Sequence, residues 1–411
     1  MLNDYFARAE ILRRHRAGLL GAYLDTYTST AKEHGYPPST VRYHCYVFRL
    51  FGRWLGRRGL GVGEIDDDVI VEFWRKQRHV PRVHATGTKP LRWLLGYLRA
   101  QGVVPAQQPT ERTEADALAH RFGTFLEQRR ALMPETVRQH ISVAQEFLQS
   151  CFARGPLRLH ALGEKDITQF VLGAAKRLSP RTHQTRMSIL RSFFRFLLEQ
   201  GEVDVDLTGV VPSVASWRLA GVPRHISRSQ VEQVLASCDR GTPMGRRDFA
   251  ILVLLARLGL RACEVARLEL GDIRWRTGEL IIRGKGSTIE VLPLVAEVGE
   301  ALAAYIEKDR PRCQTRRVFT RMRAPITALV RKGVTAVVRS ATFKAGLDVP
   351  ARGAHVLRHS LATSMLRDGA TMSEIGVVLR HRSPATTEIY AKVDIASLQR
   401  LAQPWPVGGA R

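Results

Sequence analysis

Six residues in the second half of the chain are of types that could hold an oxyanion, move a proton or attack an electrophile. Arg261 follows a glycine in Leu258-Gly259-Leu260-Arg261-Ala262-Cys263-Glu264, and Lys285 sits in Gly284-Lys285-Gly286. His355 and Arg358 stand three apart in His355-Val356-Leu357-Arg358-His359, a spacing that puts them on one helical face. His381 and Tyr390 close the series in LRHRSPATTEIYAKV. Arginine offers planar bidentate donors to oxyanions, and imidazole transfers protons near neutrality. A tyrosine can act as nucleophile if its phenol, with an ordinary pKa of about 10, is helped to ionise. Each residue alone has an ordinary reading: an arginine at a helix start meeting solvent, a solvated turn lysine, a tyrosine half in the core. His355 and His359 are four apart, as a metal pair can be, but no glutamate stands between them as in HExxH, so no metal is expected. Cys263 has no histidine-base arrangement around it and reads as packing. The chain contains no GxxxxGK[ST] phosphate loop, and no cofactor is expected.

The elements that must position these residues can be read from local signals. Ser227 with Gln230 forms a capping box opening a helix through Leu235. Arg247 to Leu258 reads as a strongly apolar helix that stops at Gly259 and presents Arg261 near a new helix start. GELIIRGKGSTIEVLPL, residues 278–294, has β-branched runs on both sides of its glycines and reads as a β-hairpin. From Pro325 onward the pattern returns to helices.

The first half carries an internal repeat. Thr40-Val41-Arg42-Tyr43-His44 is echoed by Thr136-Val137-Arg138-Gln139-His140, Ile70 and Phe73 by Ile167 and Phe170, and Leu91-Arg92 to Val104 by Leu190-Arg191 to Val203. Both copies have apolar residues at helical spacing and arginines around them. They read as a pair of basic helical clamps, with Arg42, Arg138 and Arg191 as candidate nucleic-acid contacts; a duplicated helical bundle without a ligand is the plainer alternative. Linkers are expected at Val103 to Thr113 and at Val205 to Pro223, which carry Pro, Gly or Ser.

Composition points the same way. The chain has 411 residues with 63 Lys+Arg against 38 Asp+Glu, a net charge of +25 and a pI near 10.8. The commonest physical use of such a balance is to neutralise phosphates. An apolar fraction of 45% excludes wholesale disorder. The longest apolar run, Phe249 to Ala256, is too short to span a membrane. The start lacks a secretory core, and Asp4 and Glu10 argue against a transit peptide. Five widely spaced cysteines form no CxxC, which suits a reducing cytoplasm.

In order and spacing, GLR-x-x-E, GKG on a hairpin, H-x-x-R-H and H-x8-Y resemble the tyrosine recombinase (phage integrase) family. The likeness covers about 222–403 closely, and the second copy is similar to the family's SAM-like core-binding domain. The resemblance implies a mainly α fold with a small antiparallel β-sheet in the catalytic domain, preceded by two helical DNA-clamp domains. The domains would be 1–108 (a diverged repeat of the core-binding domain), 112–206 (core-binding), 222–403 (catalytic) and a tail at 404–411. It implies a site-specific recombinase that cuts and rejoins duplex DNA through a 3′-phosphotyrosyl link, without metal or ATP, for a mobile element. Tyr390 would be the nucleophile and Arg261 and Arg358 the phosphate clamps, their charge helping the phenol to ionise. Lys285 would protonate the leaving 5′-oxygen, His355 serve as base or proton shuttle, His381 hydrogen-bond the phosphate and Glu264 buttress the cations. The partners implied are double-stranded DNA sites and three further copies in a homotetramer, with companion recombinases or DNA-bending proteins, on the nucleoid. Alternatives are a type IB topoisomerase-like relaxing enzyme and a non-catalytic DNA-binding accessory. A helix after Tyr390, from Ala391 to Leu401 and followed by Pro404-Trp405-Pro406, would dock on a neighbour.

The chain departs from the family pattern in three places. Leu379-Arg380-His381 stands where Leu-Gly-His is usual, so a bulky cation replaces a glycine that permits close packing. Cys263 replaces a common serine. Thr288, Ile289 and Glu290 follow GKG where Lys and Arg are common, leaving Lys285 as the only cation expected at the hairpin tip.

Overall fold

The computed structural model describes residues 1–76, 87–105, 113–152, 156–175, 178–213, 223–284, 288–349, 353–381 and 383–393. Lys285, the segment from 394 and the tail at 404–411 therefore lie outside the described residues. The described chain is mainly helical with one small antiparallel sheet. Its apolar residues gather into four cores, spanning residues 2–104, 118–211, 226–357 and 362–390. Two compact units result, residues 1–104 together with 221–411, and residues 105–220.

The repeat in sequence is a repeat in structure. The first copy runs α1 (Ala9–Arg16), α2 (Leu24–Glu33), α3 (Pro38–Arg58), α4 (Asp67–Lys76) and α5 (Lys89–Ala100). The second runs α6 (Glu114–Arg130), α7 (Pro134–Phe152), α8 (Glu164–Ala175) and α9 (Pro180–Glu199). The echoed segments fall on α3 and α7, α4 and α8, and α5 and α9, in the same order. Phe122, Phe147, Phe193 and Phe194 are all buried and pack edge-on in the second core, an arrangement aromatic rings prefer to face-on stacking.

One expected linker is shorter than its composition suggests. Leu207–Gly209 forms a 3-10 turn, and Leu207 and Val211 are buried in the second core. Arg191 donates to the carbonyls of Val211 at 2.8 Å and Pro212 at 3.1 Å. The apolar residues of this stretch outweigh its Pro and Gly signals, and chain that reads as a connection is anchored on the second core at Leu207 and Val211.

In the other unit, α10 (Arg228–Ala236) starts with the expected box, Ser227 Oγ accepting from Gln230 N–H and Gln230 Oε1 from Ser227 N–H. α11 (Pro243–Arg257) is buried continuously from Phe249 to Ala256, so it runs through the core rather than over it. After α12 (Ala262–Arg267) comes a sheet of β1 (Ile273–Arg274), β2 (Glu279–Arg283) and β3 (Ile289–Pro293), in that order and antiparallel. Ile281 pairs with Val291 and Arg283 with Ile289. Leu280 and Ile282 alternate into the core, as the two-residue period requires. The hairpin matches the sequence reading, and β1 is an addition to it. α13 (Ala296–Lys308), α14 (Arg331–Lys344), α15 (His355–Arg367) and α16 (Met372–Val378) follow, then 3-10 turns at Pro384–Thr386 and Glu388–Val393. The first copy meets this part of its unit where Ile326 N–H donates to the His34 carbonyl at 2.9 Å. Among the described residues no helix is long and apolar enough to cross a membrane.

Candidate active site

The site begins where α11 ends. Gly259 adopts φ +59, and a Cβ there would lie 2.8 Å from Leu379 Cδ2 and 3.1 Å from Leu361 Cδ2. Only glycine permits both the left-handed turn and this close approach to α15 and the end of α16. Two residues later Arg261 is the N-cap of α12. Glu264 closes the box: its Oε2 accepts the Arg261 N–H at 2.9 Å, and its Oε1 accepts the Arg261 guanidinium at 2.7 Å. The Arg261 side chain remains 35% exposed while that of Glu264 is 2% exposed, so a guanidinium faces outward on a buried anchor.

Arg358, on the first turn of α15, is buried and donates to the carbonyls of Gly259 and Leu379. It therefore staples the α11–α12 turn to the end of α16. Arg380, just beyond, is buried at φ +55. Its Nη2 donates to Glu264 Oε2 at 2.9 Å and its Nη1 to the Leu258 carbonyl at 3.4 Å. Its Nε lies 3.1 Å from Glu290 Oε2, close enough for an ion pair but off the N–H direction, so no hydrogen bond forms there. The backbone keeps the left-handed shape a glycine would take, and the bulky side chain turns towards two carboxylates.

Tyr390 lies in the last 3-10 turn, 1% exposed, in a small core with Ala362, Ile375 and Leu379. Its hydroxyl is 2.9 Å from His359 Nδ1. His381 Nδ1 is 2.8 Å from Thr387 Oγ1, and its ring is parallel to that of Tyr390 with centroids 6.4 Å apart. His355 is exposed at the start of α15, its ring 6.2 Å from that of His359. The imidazole that touches the phenol is thus His359, which the sequence offered only as half of a metal pair.

Burial and like charge shape the titrations. Burial, then the charges of Arg261 and Arg380, push Arg358 down to about 10. Burial first, with His355 and Arg358, pushes His359 down to about 4, and burial with Arg358 and Arg261 does the same to His381. Both imidazoles are therefore neutral at pH 7, and a neutral His359 with its proton on Nε2 can accept from the phenol at Nδ1. Tyr390 departs from the simple expectation that the cations would ease its ionisation. Arg358 and Arg261 do pull its pKa down, but burial outweighs them and the net direction is up. Burial also raises Glu264, yet the Arg261 backbone and guanidinium hydrogen bonds and the charges of Arg380 and Arg261 leave it below its usual value.

The structure thus brings together Arg261, Glu264, Arg358, His381 and Tyr390, with His355 at the edge. It adds Arg380, His359 and Thr387. The clamp arginines are elsewhere: Arg42 is exposed on α3, Arg138 is exposed on α7 and pairs with Glu135, and Arg191 is engaged by backbone carbonyls. No group of three or more His, Cys, Asp or Glu that could hold a metal occurs among the described residues.

The chain is similar to known proteins in sequence and in fold. The model of the phage integrase family matches residues 224–396, and that of the phage integrase N-terminal SAM-like domain matches 119–201. The chain is 37% identical to y4rA of Sinorhizobium fredii, named by inference an integrase/recombinase, over 98% of both chains. Among solved structures it is similar to the XerH site-specific recombinase bound to a difH substrate after cleavage, with a TM-score of 0.56, 19% identity, and coverage of 76% of this chain and 95% of that one. It is also similar to a lambda integrase tetramer bound to a Holliday junction, with a TM-score of 0.52, 14% identity, and coverage of 72% and 84%.

Proposed function

The chain belongs to the phage integrase family of tyrosine recombinases and cuts and rejoins DNA at specific sites; on that premise we propose that Tyr390 is its nucleophile and that the residues gathered around it carry the reaction. One observation supports this above the others: the Tyr390 hydroxyl is held by the helix of Arg358, within the field of both Arg358 and Arg261. A scissile phosphate set against the outward face of Arg261 would have its non-bridging oxygens stabilised as charge develops. The phenol oxygen attacks phosphorus in line, forming the 3′-phosphotyrosyl bond as the bond to the 5′-oxygen breaks. The phenol proton passes to His359 Nδ1, with His355 beside it as shuttle, and Lys285 gives a proton to the leaving 5′-oxygen. His381, oriented by Thr387, donates to the phosphate, and Glu264 holds Arg261. The phosphotyrosyl ester conserves the energy of the broken bond, so resealing by the 5′-hydroxyl needs no ATP.

We assign the chain three domains and a tail, 1–108, 112–206, 222–403 and 404–411. The SAM-like match within 112–206 supports a helical clamp there, the repeat supports a second clamp in 1–108, and the net charge of +25 suits both. Arg42 and Arg138, exposed on equivalent helices, are the clamp cations best placed to reach phosphates. The tetramer in which lambda integrase was solved supports a homotetramer on paired sites, joined by companion recombinases or bending proteins. The word integrase in a relative's name supports service to a mobile element, and a DNA substrate with a net charge of +25 suits action on the nucleoid in the cytoplasm.

The test is a suicide substrate, nicked near the cleavage point. Wild type should give a denaturant-resistant protein–DNA adduct, and Tyr390→Phe should give none while binding the same DNA. An undiminished adduct from Tyr390→Phe means another nucleophile. Relaxed circles without exchanged flanks would favour a topoisomerase.

A further inference from the structure

Two of the positions at which this chain departs from its family meet in space. Arg380 replaces the usual glycine before His381, and Glu290 falls where basic residues are common. In the fold the Arg380 Nε is 3.1 Å from Glu290 on β3, and its Nη2 donates to Glu264 at 2.9 Å. The Arg380 and Glu264 side chains are 4% and 2% exposed, against 40% for Glu290. A buried cation in a backbone conformation that disfavours side chains is retained only when its surroundings hold it there, and here a buried carboxylate does so.

We propose that Arg380 is a positioning residue for strand cleavage: it is the counter-ion of Glu264, which lets Glu264 hold Arg261 in place without neutralising the charge that Arg261 offers to a phosphate. The geometry divides the carboxylate between the two arginines. Oε1 anchors the Arg261 guanidinium, while Oε2 takes the Arg261 backbone N–H and Arg380. Without Arg380, the full charge of Glu264 would fall on Arg261, whose donors would be drawn inward from the exposed face. Arg380 itself is turned towards carboxylates and the Leu258 carbonyl, so it acts through Glu264 rather than on DNA. The groups that set the titration of Glu264 are Arg261, at the N-cap of α12, and Arg380, after α16; Arg358 on α15 feels the charge of Glu264 in turn, and Glu290 lies beyond Arg380.

This inference rests on the reading of the site given above, and its test separates the two. Adduct formation on the suicide substrate and DNA binding are measured from about pH 5 to 9 for wild type, Arg380→Gly, Arg380→Lys, Glu264→Gln and the Arg380→Gly/Glu264→Gln double variant. Glycine suits the φ of +55, so Arg380→Gly removes the side chain while easing the backbone. It should slow adduct formation about 10- to 100-fold, the scale of a misplaced catalytic group, with DNA affinity unchanged. The acid limb of its rate profile should move to higher pH, because Glu264 loses a cation that favours its ionised form; Arg380→Lys should recover part of both effects. The double variant should be no slower than Glu264→Gln alone. Arg380→Gly cleaving within about twofold of wild type with an unmoved pH profile overturns the proposal, as does a double variant that loses the product of the two single effects. If wild type itself makes no adduct, the reading of the site fails, and thermal unfolding of the same proteins still decides the tie: sub-additive losses of Tm support it and additive losses overturn it.

Discussion

Changing Glu264 to glutamine removes one charge and almost no volume, yet it should be among the most destabilising substitutions in the catalytic half. The carboxylate takes the Arg261 amide at 2.9 Å, the Arg261 guanidinium at 2.7 Å and the Arg380 guanidinium at 2.9 Å. Glutamine has one carbonyl oxygen, and its NH2 can only donate. Whichever way the amide is turned, it faces a guanidinium or an N–H donor, and Arg380 loses its buried counter-charge. Removing one partner of a buried ion pair costs about 3–5 kcal/mol. For a unit of this size each kcal/mol lowers Tm by about 2–4 °C, so a fall of roughly 6–20 °C is expected at neutral pH. The pH dependence has a definite sign. Glu264 is depressed below its usual 4.5 in the fold, so its contribution is complete above that value and is lost as pH falls through the folded pKa. The gap in Tm between wild type and variant should therefore be widest at neutrality and close in acid. Thermal unfolding of the full chain followed by circular dichroism over a pH series measures it. A variant melting within about 1 °C of wild type at neutral pH, or a gap that does not narrow on acidification, would refute a buried ionised Glu264.

Two further outcomes follow from the same geometry. Arg358→Lys should abolish adduct formation and lower Tm, because one ammonium cannot reproduce the fork that donates to the Gly259 and Leu379 carbonyls; cleavage at more than about a tenth of the wild-type rate would show that the fork is dispensable. His359 and His381, both pushed down to about 4 from 6.5, favour the fold fully above pH 6.5 and lose that contribution as pH falls towards 4, since the unfolded chain takes up protons first. A His359→Gln/His381→Gln double variant should thus show a flatter stability profile between those limits, and an unchanged slope would show that the imidazoles are not held neutral.

Local chemistry was legible in the sequence wherever it is itself local. The Ser227–Gln230 box, the stop at Gly259, the Arg261–Glu264 relation and the β2–β3 hairpin each depend on residues a few positions apart, and each appears in the fold. The repeat was legible because the same apolar spacing was written twice. What escaped depends on partners far along the chain. Arg380 read only as a bulky cation in a glycine's place, because Glu264, 116 residues earlier, and Glu290 were not visible as neighbours. His359 read as a partner of His355 because spacing on one helix is all a sequence offers; its hydrogen bond reaches 31 residues on to Tyr390. The Val205–Pro223 stretch read as a linker because Pro and Gly are counted before the burial of Leu207 and Val211 can be known.

The charge balance of the site explains why these distant partners matter. Among the described residues three guanidiniums, Arg261, Arg358 and Arg380, stand against the buried Glu264 and the partly exposed Glu290. The imidazoles add nothing at pH 7, being neutral. One positive charge is left without a protein anion; burial first, and then repulsion from Arg261 and Arg380, holds Arg358 down to about 10. A phosphodiester carries a single negative charge, so its arrival relieves strain that the free protein sustains. The same burial that keeps the Tyr390 phenol protonated in the free protein then works with the ligand. With a phosphate seated as proposed, the cations would be committed to its oxygens, and the phenol proton would have a neutral acceptor 2.9 Å away. A nucleophile held protonated until its electrophile is seated does not react with stray targets, and the cost of that restraint is carried by the folding of the domain rather than by the DNA.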